Sequence, residues 1–292
     1  MSDLARSGSD LAAAADLGAL PPPKAAVLKA AAMIDGLKAA RALAAADFTG
    51  DKAPDLAVSS SADNTVTVYR NTGAFRFSTA GTASVASYPI ALAAADVNKD
   101  GFVDLGVASF LGHQHAVLLG NGAGSFSGGV TLTGNKYPND IQIGDLDGDG
   151  TQDVLGIELG MGNEGMTLSL FRGLGGGRFS SATTLPAGKG PASAALLDLN
   201  RDGRIDLVSS GYQGSTYSVA MGLEGGTLAP PQTSPASTRP RMITSADFNR
   251  DGLPDIAMTF EQPVPGHVGV YLGRGDGTLA PVRELAAGSD PY

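Results

Sequence analysis

The chain has 292 residues, rich in Gly (41) and Pro (17) and lacking both Cys and Trp. That length fits one large domain or two small ones. The Gly and Pro content predicts many turns and short strands rather than a helical bundle, and zero Cys excludes disulfides, thiolate metal sites and a Cys nucleophile. Lys+Arg total 20 against 29 Asp+Glu, leaving a net charge of -9; this argues against a nucleic-acid partner, because phosphate tracking needs clustered basic side chains. No apolar run approaches the ~18 residues of a membrane span. The start, MSDLARSGSD, is too acidic and polar to read as a signal peptide, although a leader removed beforehand is compatible with it.

Residues 1–38 read as an N-terminal segment: a linker, an Ala/Lys/Leu-rich helix, or the outer strand of a preceding unit. From residue 39 to 292 one pattern recurs five times: Asp, any, Asn/Asp, any, Asp, Gly, two of any, Asp, aliphatic. The copies are DFTGDKAPDL from Asp47, DVNKDGFVDL from Asp96, DLDGDGTQDV from Asp145, DLNRDGRIDL from Asp198 and DFNRDGLPDI from Asp247, about 49 residues apart. A Gly-rich turn ending in Phe77, Phe126, Phe179, Leu228 or Leu279 follows each copy, and a Pro precedes all but the first: Pro89, Pro138, Pro191 and Pro240. Short alternating runs fill the gaps, such as DLAVSS, TVTVYRN and HAVLLGN. Four short strands per repeat are predicted, joined by tight turns.

A lone four-stranded sheet of this size cannot bury both faces, whereas sheets stacked radially can. The expected fold is therefore all-β: a β-propeller of four-stranded antiparallel blades with five complete repeats. Leu28 stands in phase with the marker residues and Pro291 in phase with the prolines. Either the five-bladed ring closes on itself or the array continues in a larger ring, and an oligomer is compatible with these in-phase ends. LAAAADL at 11–17 is weak support for a decayed sixth blade.

In each acidic loop, positions 1, 3, 5 and 9 supply oxygen side chains and position 7 a backbone carbonyl, while Gly at position 6 permits a sharp turn. Hard cations such as calcium take six to eight oxygens. Of the 29 acidic residues, 16 lie in these five windows, and such packing without a cation costs repulsion. An EF-hand needs Glu at position 12 and flanking helices; here position 12 is Val58, Val107, Gly156, Ser209 or Met258, so the ninth-position Asp must close the coordination instead.

With these loops and their phase, the repeats resemble the FG-GAP/VCBS repeats of integrin-α-type propellers and of some bacterial and fungal lectins. The resemblance covers roughly residues 40–290 and implies a calcium-holding loop between the first and second strands of each blade. The implied ligands are Asp96, Asn98, Asp100 and Asp104; Asp145, Asp147, Asp149 and Asp153; Asp198, Asn200, Asp202 and Asp206; and Asp247, Asn249, Asp251 and Asp255. The first loop keeps Asp47, Asp51 and Asp55 but has Thr49 at position 3 and Lys52 in place of Gly. The position-7 carbonyls belong to Ala53, Phe102, Thr151, Arg204 and Leu253. Four or five Ca2+ ions are expected, in a structural role.

All length variation falls between the second and third strands, on the face opposite the loops, where a ligand is therefore expected. Candidates there are His113, His115, Glu158, Glu164, His267, Tyr88 and Tyr137, with Arg239 and Arg241 flanking Pro240. His113 and His115 would share a strand face and could hold a transition metal, although exposed turn residues are the blander reading. The two tyrosines could stack on a sugar or simply pack in the links. Catalysis has little support: no G-x-S-x-G, H-E-x-x-H or Walker A motif is present. The expectation is a calcium-stabilised, non-catalytic recognition module for carbohydrate or a protein surface, placed at the cell surface, outside the cell or in the periplasm. Alternatives are a polysaccharide lyase on the same scaffold and a structural subunit whose ring another chain completes.

Overall fold

Each repeat folds as an antiparallel meander. The structure, a computed structural model, describes residues 34, 37–74, 76–134, 136–159, 167–187, 190–262, 266–280 and 284–286. The expectations for residues 11–17 and 28–33, for Glu164 and for Pro291 lie outside these residues. Blade 1 comprises β1 (Ala40–Ala46), β2 (Asp55–Ser60), β3 (Thr65–Asn71) and β4 (Phe77–Ser84); blade 2 comprises β5 (Pro89–Ala95), β6 (Asp104–Ser109), β7 (Gln114–Gly120) and β8 (Phe126–Leu132). Blade 3 follows with β9 (Pro138–Gly144), β10 (Asp153–Glu158), β11 (Thr167–Phe171) and β12 (Thr183–Pro186). Blade 4 has β13 (Pro191–Leu197), β14 (Asp206–Gly211), β15 (Thr216–Ala220) and β16 (Gln232–Pro235). Blade 5 has β17 (Pro240–Ala246), β18 (Asp255–Phe260), β19 (His267–Gly273) and a fourth strand split into β20 (Leu279–Ala280) and β21 (Glu284–Ala286), both paired with β19. Strand order is sequential in every sheet, which is the radial meander expected of the repeat.

The second strands (DLAVSS, DLGVAS, DVLGIE, DLVSSG, DIAMTF) are buried along most of their length, because each is central in its blade and covered by neighbouring blades. The first strands are rich in Ala, as in PIALAAA and PASAALL. Small side chains let β1 pack on β5, β5 on β9, β9 on β13 and β13 on β17 around a common axis. The marker residues all take one register position, the first pair across the Gly-rich turn: Phe77 opposite Asn71, Phe126 opposite Gly120, Phe179 opposite Gly173, Leu228 opposite Gly222 and Leu279 opposite Gly273.

Four apolar cores are described, one between each successive pair of blades. Among the described residues no comparable packing joins β17 back to β1. The consequence is local. Ile141, Ala194 and Ile243 are covered by the preceding blade and are 1%, 1% and 7% exposed, whereas Leu43, at the same repeat position in blade 1, is 61% exposed. The far face of blade 5 is likewise open: Thr244 and Ala246 are exposed, while their blade 4 equivalents Ala195 and Leu197 are buried.

Candidate metal loops and the opposite face

The acidic loops join the first and second strands, and all five share one backbone path. Position 4 is left-handed in every copy, at Gly50, Lys99, Gly148, Arg201 and Arg250, with φ between 60° and 73°. Position 6 is left-handed too: Gly101, Gly150, Gly203 and Gly252 take φ of 79° to 89°, and Lys52 is held at 67° where the other loops use Gly. This path turns the loop's own N–H groups inward onto the carboxylates. The position-1 Asp accepts from position 6, as Gly101 N donates to Asp96 Oδ2 at 2.9 Å. The position-5 Asp accepts from position 7, as Phe102 N donates to Asp100 Oδ1 at 2.8 Å. Carboxylate oxygens of Asp47, Asp51 and Asp55, and of Asp145, Asp147 and Asp149, lie within 4.8 Å of one another.

The ninth-position Asp is wholly buried in all five loops. Asp104 shows why: its Oδ2 accepts Val97 N at 2.9 Å and its Oδ1 accepts Gly120 N at 2.7 Å, tying the loop to the end of β7. Asp153, Asp206 and Asp255 repeat the pair with Gly173, Gly222 and Gly273. Asp55 bonds Asn71 N, but its second oxygen takes Thr49 rather than Phe48, so the departure in the first loop's sequence is also a departure in geometry. The glycine in this contact is forced by distance: a Cβ on Gly120 would stand 2.1 Å from the Val103 carbonyl oxygen. Sequence reasoning assigned these glycines to turns and missed the close approach. Burial holds the carboxyls of Asp104, Asp153 and Asp206 above the usual range despite these bonds. Each oxygen keeps a further lone pair, so accepting N–H groups is compatible with ligating a cation.

In three loops an aspartate pairs with an arginine. Arg70 Nη2 is 3.0 Å from Asp51, Arg172 Nη1 is 2.6 Å from Asp147 and Arg204 Nη2 is 2.5 Å from Asp202. Hydrogen bonds hold Asp51, Asp149 and Asp202 below the usual carboxylate range, chiefly from Ala53 N, the Thr151 hydroxyl and the Asn200 side chain respectively. The donors are all oxygen and mostly anionic, which fits a hard divalent cation; among the described residues three carboxylates converge within 4.8 Å in the first and third loops but not in the second, fourth and fifth.

The opposite face is built around the residue before each first strand. Ala39, Tyr88, Tyr137, Gly190 and Arg239 all take φ between 50° and 64°. Their carbonyls accept N–H bonds from Ser61, Phe110, Leu159, Tyr212 and Glu261. Only blade 4 uses Gly here, so four blades hold a side chain in a conformation that costs about 1–2 kcal/mol. The aromatic residues so placed touch in series: Tyr88 and Phe110 at 6.4 Å, Phe110 and Tyr137 at 5.5 Å, Tyr137 and His113 at 4.8 Å between ring centroids. Beside them the first strands frame a cavity of about 560 Å³, lined by Arg41, Leu43, Tyr88, Phe110, Asp140 and Arg241 among others.

The structure separates the two candidate histidines. His113 is exposed in the turn at φ 53°, outside the strand. His115 points into the interface of blades 2 and 3, fully buried, with Nε2 3.3 Å from Glu158 Oε1, itself fully buried. His267 is also buried, stacked on Phe260. His115, Glu158 and His267 therefore sit inside the molecule rather than on the ligand-facing surface, because strand alternation turns them inward. Tyr88 and Tyr137 do line that surface. Arg41, Phe110 and Tyr212 were not singled out from sequence; their repeat phase with known link and turn positions was the available signal.

Repeated meanders around one axis with an acidic loop in each blade define a β-propeller. The FG-GAP-like repeat matches residues 36–107, 157–209 and 198–258, more than half of the chain, and the chain belongs to that family. Similar solved structures share the fold at low identity. They include BBS1N in complex with ARL6DN (13% identity, TM-score 0.58, 86% of this chain and 70% of that chain). The Dos1 propeller (16%, TM-score 0.53, 81% and 56%) is another. A third is the Vibrio cholerae biofilm matrix protein Bap1 (16%, TM-score 0.51, 87% and 40%). No curated protein sequence matches the chain. Among the described residues no helix is long and apolar enough to cross a membrane.

Proposed function

We propose that this propeller is a calcium-stabilised, non-catalytic recognition module that works outside the cytoplasm and docks its ligand on the face opposite the acidic loops. The observation that carries this is the division of labour between the two faces. One face commits its carboxylates to the acidic loops; the other holds Tyr88 in a left-handed conformation at the rim of a cavity that Phe110, Arg41 and Arg241 also line. Strained non-Gly residues persist where surrounding structure and function hold them.

In the calcium-loaded chain, Asp96, Asn98, Asp100 and Asp104 and their counterparts would hold the ions. The ion supplies charge neutralisation; the chain's own part is to keep the carboxylates convergent through the loop N–H groups. Millimolar calcium outside the cytoplasm suits such sites, as does the absence of Cys. The complex of BBS1N with ARL6DN and the matrix role named for Bap1 support the reading of this scaffold as a binding surface. The test is an array of saccharides and proteins probed with the wild type and with Tyr88→Ala/Phe110→Ala in the presence of calcium. Binding that the double variant abolishes is expected. Binding that survives in the double variant and is lost on altering the loop face instead would reject the proposed docking face.

A further inference from the structure

We infer that the cavity at the axis takes a carboxylate-bearing sugar ring, with Arg41 as the residue that receives the carboxylate. This rests on the docking face proposed above and names its ligand class. At about 560 Å³ the cavity has the size of a small-molecule site. A flat protein partner would need some 800 Å² of surface on each side instead; a concave site of this volume suits one or two rings better.

Its chemistry is mixed in a specific way. Tyr88 and Phe110 form an aromatic wall, half-buried and tilted against each other. Arg41 lies over the Tyr88 ring at 5.2 Å and donates to the Tyr88 hydroxyl and to Ser61 Oγ. Both acceptors are neutral, so among the described residues the exposed Arg41 guanidinium is oriented but not neutralised. Arg241 lines the same cavity from β17, positioned by Glu261 at 3.2 Å and by the Tyr212 ring at 4.8 Å. The acid in the cavity wall, Asp140, is turned away from solvent: its oxygens accept Ser193 Oγ at 2.7 Å and Ile141 N at 2.8 Å.

A preorientated guanidinium suits a carboxylate bidentately, and an aromatic wall suits the apolar face of a pyranose. Neutral sugars would use the wall alone. The ring could be a free uronate or a unit within a polyuronate chain; the shared chemistry is the carboxylated ring.

The experiment is calorimetric titration of the full chain in calcium with galacturonate, with a galacturonate oligomer and with a neutral glucan oligomer of equal length. Either uronate should bind about tenfold or more tightly than the glucan, the gap closing at high salt. The oligomer outbinding the monomer would assign the site to a polymer, and equal affinity per ring to a free sugar. Arg41→Ala should lose that preference with an unchanged melting temperature, since Arg41 is exposed, and Arg41→Lys should recover only part of it. Equal binding of glucan and uronate, abolished by Tyr88→Ala, would overturn the carboxylate assignment and leave the docking face standing. No saccharide binding by the folded protein, or uronate binding unaffected by Arg41→Ala, would overturn the inference.

Discussion

Leu43 and Ile243 occupy the same place in the repeat, four residues before the first loop aspartate, yet Leu43 is 61% exposed and Ile243 7%. Ile243 is packed against blade 4; Leu43 lacks an equivalent neighbour among the described residues. Truncation should expose this difference. Ile141→Ala, between blades 2 and 3, should cost about 2–5 kcal/mol, and Leu43→Ala within about 0.5 kcal/mol, as read by denaturant unfolding. A large loss for Leu43→Ala would show that blade 1 is covered, by another part of the chain or by a second copy.

Asp104 and Asp100 serve the same loop in separable ways. Asp104 is buried and bonds Val97 N and Gly120 N, so Asp104→Ala orphans two buried N–H groups. Each costs about 1–3 kcal/mol, with or without calcium. Asp100 is exposed and bonds only within its loop, so Asp100→Ala should lower the melting temperature in calcium and scarcely at all in chelator. Identical behaviour of the two variants would contradict this division.

Lys52 sits at φ 67° where four loops place Gly. A non-Gly residue there bears left-handed strain that Gly avoids. Lys52→Gly should raise stability by up to about 1 kcal/mol; a loss would mean that the Lys52 side chain makes a contact worth more than the strain.

Burial pushes the Asp140 carboxyl above its ordinary 3.8, opposed by bonds from Ser193, Ile141, Ala194 and Gln142. Such an acid binds its proton more tightly in the folded state. Its contribution is therefore full below the unfolded value and is lost as pH rises through the folded one. Asp140→Asn keeps an acceptor for Ile141 N and a polar partner for Ser193. Its melting temperature relative to wild type should thus climb as pH increases from about 4. A difference that stays constant with pH would indicate that Asp140 is solvated after all.

Much of the architecture was legible because the loop signal is local: four oxygens and a Gly within nine residues mark each blade, and the phase of Phe77, Phe126 and their counterparts marks the next turn. The fourth strands were fainter, as in GVTL and TTLP, since outer strands carry little core and need little apolar patterning. What escaped the sequence was long-range. The bond from Gly120 to Asp104 spans 16 residues and the meeting of His115 with Glu158 spans 43. Both depend on how strands and blades register, which no local spacing reveals. The exposure of Leu43 depends on what stands beside blade 1, again a property of the ring rather than of the repeat.

The calcium reading is tested most directly by differential scanning calorimetry of the metal-stripped chain, with and without calcium, paired with a calorimetric count of bound ions. Each site at a hundredfold its dissociation constant adds about 2.7 kcal/mol by mass action, so several sites should raise the melting temperature by many degrees, with four or five ions bound, and chelator should reverse the rise. Superimposable melts and no calcium uptake would contradict the account.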